Sequence, residues 1–389
     1  MYKMEQTWRW FGPVDTVSLQ DVKQTGATGV VTALHHIPHG EIWTVEEIGK
    51  RKTEIEKHNL SWSVVESVTV HEDIKTRSGN YKAYIEKYKS SIRNLAQCGI
   101  PVITYNFMPV NDWTRTKLDY KMPDDSLALY FNWIDLAVFD LYILKRKNAE
   151  GSYTENILTK AEQRFKNYTE KQLEDLAGVV MFGIPGEKKI TTADMLQKLE
   201  LYSDIDAQAL RENLCYFQNE ISSVAEECGV KLAIHPDDPP FPILGLPRIV
   251  SNLDDIKYFL KKVDNPANGV CFCTGSLGAS DKNDLTEMVK AIGDRIHFIH
   301  LRNVSKDAEG NFFEADHLGG DNDMYSIVKE LLLLQQKIKK SIPFRPDHGH
   351  QMLDDLNKTT NPGYSAIGRL RGLAEIRGLE LGILGSLGK

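Results

Sequence analysis

The sequence is poor in cysteine and has no cluster of positive charge. Five cysteines in 389 residues are few and odd in number, so no disulfide framework is expected. The chain has 47 Lys and Arg against 54 Asp and Glu, which gives a formal charge of −7. Because nucleic acids and anionic membranes are bound by basic stripes, this pattern argues against both and favours a small-molecule partner.

Long apolar stretches are missing as well. The longest, Leu127–Leu144, is interrupted by Asn132, Asp135 and Asp140, and we interpret it as a buried helix rather than a membrane span. A helix this apolar is also consistent with a homo-oligomer, for example a dimer. The first ten residues include three charged side chains and lack the apolar core of a signal peptide, so the expected location is the cytoplasm.

Short β-branched runs alternate with longer helical patterns along almost the whole chain. This alternation is typical of a parallel sheet wrapped by helices, and eight strands close a parallel barrel. We therefore predict an α/β fold, a (β/α)8 TIM barrel that forms a single domain over residues 1–389. The predicted strands are Thr7–Phe11, Gly29–Leu34, Ser61–Val68, Pro101–Phe107, Lys231–His235, Gly269–Cys273, Ile296–Arg302 and Pro343–Asp347.

The predicted helices carry apolar residues at helical spacing. Two of them end just before Gly99 and Gly229, and each glycine directly precedes a predicted strand. Glycine in the left-handed conformation is a common C-terminal cap, so these positions predict repeated joints from helix to strand. The main predicted helices are Val45–Asn59, Tyr81–Gln97, Ala209–Cys228, Leu253–Lys262, Asp323–Lys339 and Tyr364–Arg377.

One long segment does not follow the alternation. From about residue 108 to residue 206 the pattern is charged and helical, and Val179–Phe182 is the only stretch with the composition of a strand. We interpret residues 108–206 as a helical insertion after the fourth strand. An insertion of this size is expected to lie above the barrel mouth or to form a subunit contact.

Four successive predicted strands, the last four of the barrel, end in a side chain that can bind a metal ion. The four residues are His235, Cys273, His300 and Asp347. The C-terminal ends of the strands in a parallel barrel open onto one face, so these side chains are expected to converge there. A single histidine or cysteine at a strand end is usually structural, but packing gives no reason for four in equivalent positions. The pattern therefore predicts a metal site.

The donor types constrain the metal. Two imidazoles, a thiolate and a carboxylate suit a divalent transition metal, for which Mn²⁺ or Fe²⁺ fits and Zn²⁺ is an alternative. Mg²⁺ fits least because it prefers oxygen ligands. Cys271 points to the same face as Cys273, so a register shift would exchange their roles. We prefer Cys273 because it lies at the end of the strand.

Seven stretches of the chain form recognisable motifs. They are Met4-Glu-Gln-Thr-Trp-Arg-Trp-Phe-Gly12, Leu34-His-His-Ile-Pro-His-Gly-Glu41, His235-Pro-Asp-Asp-Pro-Pro240, Phe272-Cys-Thr-Gly-Ser276, His300-Leu-Arg-Asn303, Arg345-Pro-Asp-His-Gly-His350 and Pro362-Gly-Tyr-Ser-Ala-Ile-Gly-Arg-Leu370. Together they resemble the signature sequences of the D-mannonate dehydratase family. The resemblance implies a xylose-isomerase-like barrel that uses Mn²⁺ or Fe²⁺ and converts D-mannonate to 2-keto-3-deoxy-D-gluconate by loss of water, in hexuronate (glucuronate) catabolism.

The same resemblance implies roles for individual residues. The metal ligands of the family fall on the four strand-end residues predicted above. Its acid/base pair falls on His348, directly after the ligand Asp347, and on Tyr364. A histidine serves as acid or base near neutral pH, and a tyrosine can be its partner. The sequence leaves open which of the two is the base.

Three further residues are candidates for substrate binding. His36 lies in a histidine-rich loop after the second strand, which is expected to reach the barrel mouth. Arg302 is a candidate clamp for a carboxylate because a guanidinium binds it with two parallel hydrogen bonds; the alternative is a surface ion pair. His317 lies in a polar loop rich in glycine and is expected to close on the substrate.

Other functions remain as alternatives to a sugar-acid dehydratase. A metal-dependent sugar isomerase or epimerase on the same barrel would also remove a proton next to a carbonyl or carboxylate, but no hydroxyl would leave. A phosphodiesterase or nuclease is disfavoured by the charge of −7 and by the lack of a basic groove. A non-catalytic sugar-acid binding protein would need no acid/base pair.

Overall fold

The computed structural model describes residues 2–182 and 190–388. The described ranges contain twelve strands. They are β1 (Glu5–Arg9), β2 (Gly29–Thr32), β3 (Ser61–Glu66), β4 (Val102–Tyr105), β5 (Lys117–Lys121), β6 (Leu127–Phe131), β7 (Lys231–Ile234), β8 (Asn268–Cys273), β9 (Ile296–Leu301), β10 (Asn303–Lys306), β11 (Phe312–Ala315) and β12 (Pro343–Pro346).

The same ranges contain fourteen α-helices. They are α1 (Leu19–Gln24), α2 (Val45–Glu56), α3 (Glu72–Thr76), α4 (Tyr81–Gln97), α5 (Trp133–Val138), α6 (Glu155–Asn167), α7 (Glu170–Val180), α8 (Thr192–Glu200), α9 (Ala207–Glu227), α10 (Leu253–Lys262), α11 (Thr274–Gly278), α12 (Leu285–Ile292), α13 (Met324–Ile338) and α14 (Ala366–Ser386). Within the described ranges, every helix is too short or too polar to cross a membrane.

Eight parallel strands close the barrel in the order β1-β12-β9-β8-β7-β4-β3-β2. Each of the eight predicted strands forms one of these, so the predicted (β/α)8 barrel is confirmed. Most apolar side chains pack between the barrel and its helices. A separate buried cluster takes one residue from each of six neighbouring barrel strands: Val31, Val64, Val102, Ala233, Cys271 and Phe298. Cys271 is therefore part of the apolar packing of the barrel strands.

The predicted glycine joints are also confirmed. Gly99 follows α4 with φ +76°, and Gly229 follows α9 with φ +71°. The next strands, β4 and β7, begin within three residues of these glycines. A residue with a Cβ atom is strained at positive φ, so glycine lets each long helix turn directly back into the barrel.

Residues 108–206 differ from the predicted helical insertion in their first part. Leu127–Phe131, which we predicted to begin a helix, is strand β6. Asn132 ends that apolar run because its side chain accepts hydrogen bonds from the backbone N–H groups of Ile134 and Asp135 and caps α5. A π-helix, Phe139–Leu144, follows α5. Val179–Phe182, the stretch of this segment with the composition of a strand, overlaps the end of α7.

A second, antiparallel sheet has the strand order β10-β11-β6-β5 and was not predicted. Strands β5 and β6 come from the insertion, whereas β10 and β11 form a hairpin directly after β9. The sheet lies at the C-terminal end of the barrel, since β10 starts two residues after β9 and Leu127 of β6 pairs with Gln351, beyond the end of β12. It therefore lies beside the barrel mouth.

Candidate metal centre and active site

The four predicted metal ligands come together at the barrel mouth. His235 follows β7, Cys273 ends β8, His300 lies near the end of β9 and Asp347 follows β12. One ligand atom from each of His235, Cys273 and His300 lies within 4.8 Å of the other two. These residues lie on neighbouring barrel strands, which explains why they converge although they are far apart in sequence.

Asp347 lies beside these three side chains. Its Oδ2 atom is 3.7 Å from Sγ of Cys273 and 3.8 Å from Nδ1 of His300. Its other oxygen, Oδ1, accepts a hydrogen bond from Arg345, and Arg302 lies 3.2 Å from Oδ2. Burial alone would raise the pKa of Asp347, but Arg345, His348 and Arg302 hold it well below its ordinary value. The carboxylate is therefore ionised, as a metal ligand must be.

The chemistry of this donor set fits a transition-metal ion. Burial lowers the pKa of His235, which favours the neutral imidazole that binds metals. Nδ1 of His235 lies 2.7 Å from the carbonyl oxygen of Pro236. A carbonyl can only accept, so Nδ1 carries the proton and Nε2 keeps its lone pair for a metal ion. Sγ of Cys273 belongs to the group of donor atoms that lie within 4.8 Å of one another, whereas Cys271 belongs to the apolar cluster of the barrel strands.

Glu66 is a charged residue of this site that the sequence analysis missed. It ends β3, and its two oxygens accept hydrogen bonds of 3.0 and 2.9 Å from Arg345. Oε1 also lies 3.5 Å from Nε2 of His300. Burial opposes ionisation of Glu66, but Arg345, His300 and Arg9 hold its pKa well below the ordinary value. Its position at a strand end was the available signal.

The predicted acid/base pair lies next to the donor cluster. The rings of His348 and Tyr364 meet edge to face, with centroids 4.9 Å apart. Nε2 of His348 is 3.7 Å from Oδ1 of Asp347. Burial raises the pKa of Tyr364 to about 12, although the positive charge of Arg345 opposes the rise. The phenol of Tyr364 therefore keeps its proton near neutral pH.

Arg302 lies at the centre of a buried group of charges. Its Nη2 atom is 2.6 Å from Oδ2 of Asp238, and its Nη1 atom is 3.2 Å from both Glu314 and Asp347. Only 1% of Arg302 is exposed. Both Nη atoms of Arg302 thus already contact carboxylates of the protein. The two parallel hydrogen bonds to a substrate carboxylate that we predicted for Arg302 would have to compete with these contacts.

A cavity of about 780 Å³ opens above these residues. It is lined by His235, Asp347, His348 and Tyr364, and it extends towards the loop after β2. His36 lies in that loop at the edge of the cavity, where its side chain is 54% exposed and Nε2 forms a hydrogen bond of 3.0 Å with Glu47. The volume exceeds that of a six-carbon sugar acid and is ordinary for a small-molecule site.

The structure does not bring His317 to this cavity. His317 is buried and lines a separate void of about 10 Å³ together with Asp316 and His350. Its ring packs against α14, where a Cβ atom on Gly372 would lie 2.2 Å from Cε1 of His317. The loop that holds His317 therefore packs on the last helix instead of on the metal-binding residues.

Comparisons with known proteins show which family this chain is similar to. The D-mannonate dehydratase (UxuA) family matches residues 4–386. The mannonate dehydratase of a Marinomonas species is 53% identical over an alignment of 391 positions. The alignment covers 99% of this chain and 100% of that protein. The mannonate dehydratase of Saccharophagus degradans is 48% identical over 384 residues, 97% of either chain.

A solved structure gives the same result. The crystal structure of mannonate dehydratase from Streptococcus suis serotype 2 matches with a TM-score of 0.79 and 35% sequence identity, over 100% of this chain and 96% of that one. The resemblance seen in the sequence motifs is thus confirmed over nearly the full length. This chain belongs to the D-mannonate dehydratase family.

Proposed function

We propose that this enzyme dehydrates D-mannonate to 2-keto-3-deoxy-D-gluconate. The observation that carries the proposal is the cluster of His235, Cys273 and His300 at the barrel mouth. The pair of His348 and Tyr364 lies directly beside it, in a chain that matches this family from residue 4 to residue 386. A binding protein would need the pocket but no such pair.

We propose His235, Cys273, His300 and Asp347 as the ligands of Mn²⁺ or Fe²⁺. The mixed nitrogen, sulfur and oxygen donors support either ion over Mg²⁺. When bound, the ion supplies a Lewis acid that withdraws electron density from the substrate carboxylate and makes the proton on C2 more acidic. Arg345 holds one oxygen of Asp347, and Glu66 in turn holds Arg345.

The protonation of Tyr364 supports a proposal for which residue is the acid and which is the base. With a pKa of about 12, Tyr364 carries a proton that it can give to the leaving hydroxyl on C3. His348 is then the base that takes the proton from C2. As the C2–H bond breaks, its electron pair forms the C2=C3 bond and the C3–O bond breaks, so that hydroxide leaves as water with the proton of Tyr364. The enol then becomes the 2-keto product as C3 gains a proton and the hydroxyl on C2 loses one.

The remaining predictions from the sequence concern substrate contacts, the cellular location and the oligomeric state. His36 is supported as a contact for substrate hydroxyls because it lies at the rim of the cavity. Arg302 is better placed to hold Asp238, Glu314 and Asp347 than to clamp the substrate. His317 lines a separate small void instead of the cavity, which argues against substrate contact. The cytoplasmic location and the homo-oligomer stay predictions.

Turnover of D-mannonate by metal-stripped enzyme, before and after addition of Mn²⁺ or Fe²⁺, tests the proposal. The product is detected by mass spectrometry as loss of one water. Metal-dependent formation of the 2-keto-3-deoxy acid is the expected result. Metal binding without this product, followed by interconversion of aldoses and ketoses in a substrate screen, would replace the dehydratase with the isomerase or epimerase alternative.

A further inference from the structure

Glu314 contacts His348 from outside the substrate cavity. It lies on β11 of the second sheet and is 3% exposed. Its two carboxylate oxygens are 2.9 and 2.7 Å from Nδ1 of His348. Arg115, which lies just before β5, holds Glu314 through contacts of 2.7 and 3.2 Å to Oε1. The second sheet thus brings a fixed carboxylate to the ring nitrogen of His348 that faces away from Asp347.

Two groups compete for Nδ1 of His348. Nη1 of Arg302 is 2.9 Å from Nδ1, and a guanidinium can only donate, so this contact requires an unprotonated Nδ1. Glu314 requires the opposite. Burial would raise the pKa of Glu314, but Arg302, His348 and Arg115 lower it to about 2. The ionised carboxylate has no proton to give and can only accept from an Nδ1–H group.

The carboxylate of Glu314 is the more favourable hydrogen-bond partner for Nδ1 of His348. If Nδ1 were unprotonated, two negatively charged oxygens would face its lone pair at less than 3 Å. If Nδ1 carries the proton, it donates a charge-assisted hydrogen bond. The N–H groups of Arg302 on Nη1 then have other acceptors, since Glu314 and Asp347 each lie 3.2 Å away.

We propose that Glu314 is a positioning residue that keeps a proton on Nδ1 of His348 and so leaves Nε2 as the ring nitrogen that takes the proton of the substrate. The inference rests on the proposed function for its catalytic meaning. It deepens that function because a base must present a lone pair to C2–H, and Nε2, 3.7 Å from Oδ1 of Asp347, belongs to a side chain that lines the cavity. A carboxylate that holds a catalytic imidazole in one tautomer is a general device of acid/base enzymes.

Steady-state kinetics of Glu314→Gln provide the first test. The amide can turn its NH₂ group to Nδ1 and so favour the proton on Nε2, which removes the lone pair that acts as base. We expect kcat to fall roughly 10²- to 10⁴-fold, with KM changed less than about threefold and metal content unchanged. Glu309→Gln is the matched control, because Glu309 lies in the same hairpin but is exposed and pairs with Lys160. A kcat within about threefold of the unmodified enzyme would overturn the proposal.

The tautomer itself can be read without any variant. In protein labelled with ¹⁵N at histidine and loaded with diamagnetic Zn²⁺, long-range ¹H–¹⁵N spectra distinguish a protonated Nδ1 from a protonated Nε2. The signals are assigned to His348 by their loss in His348→Gln. We expect the spectra to show a proton on Nδ1 and none on Nε2. A proton on Nε2, with Arg302 donating a hydrogen bond to Nδ1, would overturn the proposal. Because this readout does not need turnover, absence of D-mannonate turnover would contradict the proposed function and leave the tautomer result standing.

Discussion

The proposed metal ligands and the residues around His348 come from two different regions of the molecule. The barrel strands β7, β8, β9 and β12 each deliver one donor atom from an equivalent strand-end position. The second sheet delivers no metal ligand in this proposal but places Glu314, with Arg115 beside it, against Nδ1 of His348. In our proposal the barrel strands therefore supply the metal ligands, and the second sheet supplies the carboxylate that positions the imidazole of His348. The following changes address one region at a time.

Cys273→Ala should have the largest effect because it removes a donor from the barrel half of the site. We expect loss of bound metal and a fall in kcat of more than about 100-fold. Mutation of a residue that only supports a metal ligand already lowers metal affinity or activity by about 10- to 100-fold. Metal content by mass spectrometry and turnover of D-mannonate measure both. Cys271→Ala is the matched control on the same strand, because Cys271 belongs to the apolar cluster. Equal metal loss in both variants would show that packing, not ligation, is responsible.

Tyr364→Phe should remove the acid and spare the metal. We expect kcat to fall about 10²- to 10⁴-fold, the usual contribution of a positioned acid or base, while metal content stays at the level of the unmodified enzyme. Turnover of D-mannonate and elemental analysis of the same sample separate the two effects. Loss of metal in this variant would place Tyr364 in the structural support of the donor cluster instead.

The pKa of Tyr364 also predicts part of the pH profile. The acid works while protonated, so its contribution is present below the folded pKa of about 12 and is lost only as the pH rises through that value. An alkaline fall in kcat centred below about pH 10 should therefore come from another group and persist in the residual activity of Tyr364→Phe. Disappearance of that fall in the variant would contradict the raised pKa.

Arg115→Met should have a smaller effect on kcat, because it removes a residue that holds Glu314 and does not itself contact His348. It removes one of the two buried guanidinium groups that contact Asp238 and Glu314 and leaves Arg302 as the other. The expected cost in the free energy of unfolding is therefore below the roughly 3–5 kcal/mol of a buried charge that loses its whole partner. The variant should also lower kcat because Glu314 loses one of the groups that hold it. Arg146→Met is the control, since it breaks the ion pair with buried Asp140 in the insertion, away from His348. The midpoint of thermal unfolding should fall in both variants, whereas kcat should fall only in Arg115→Met. An equal kcat in the two variants would show that the contact of Arg115 with Glu314 does not contribute to catalysis.

The two regions also differ in how far the sequence predicted them. The barrel strands are β-branched runs closed by glycine joints, and polar residues at their ends stand out against apolar neighbours. Those signals are local, so the eight strands and the convergence of His235, Cys273, His300 and Asp347 followed from them. Glu66 also ends a barrel strand, but it was overlooked because its chemistry is common on protein surfaces.

The second sheet could not be predicted in the same way. Its strand Leu127–Phe131 runs into helix α5, and a continuous apolar run does not distinguish a strand from a buried helix. The hydrogen bonds of Asn132 to the first turn of α5 mark the change, and an asparagine inside an apolar run was the available signal. The pairing of Phe312 with Phe131 joins segments 181 residues apart, so the position of Glu314 depends on tertiary contacts alone.

Anomalous X-ray diffraction from crystals of the Mn²⁺-loaded enzyme, collected on both sides of the manganese absorption edge, tests the central claim most directly. The account predicts one manganese peak at the C-terminal end of the barrel, in contact with His235, Cys273, His300 and Asp347. A manganese peak at any other position, or bound manganese that does not contact Cys273, would contradict it.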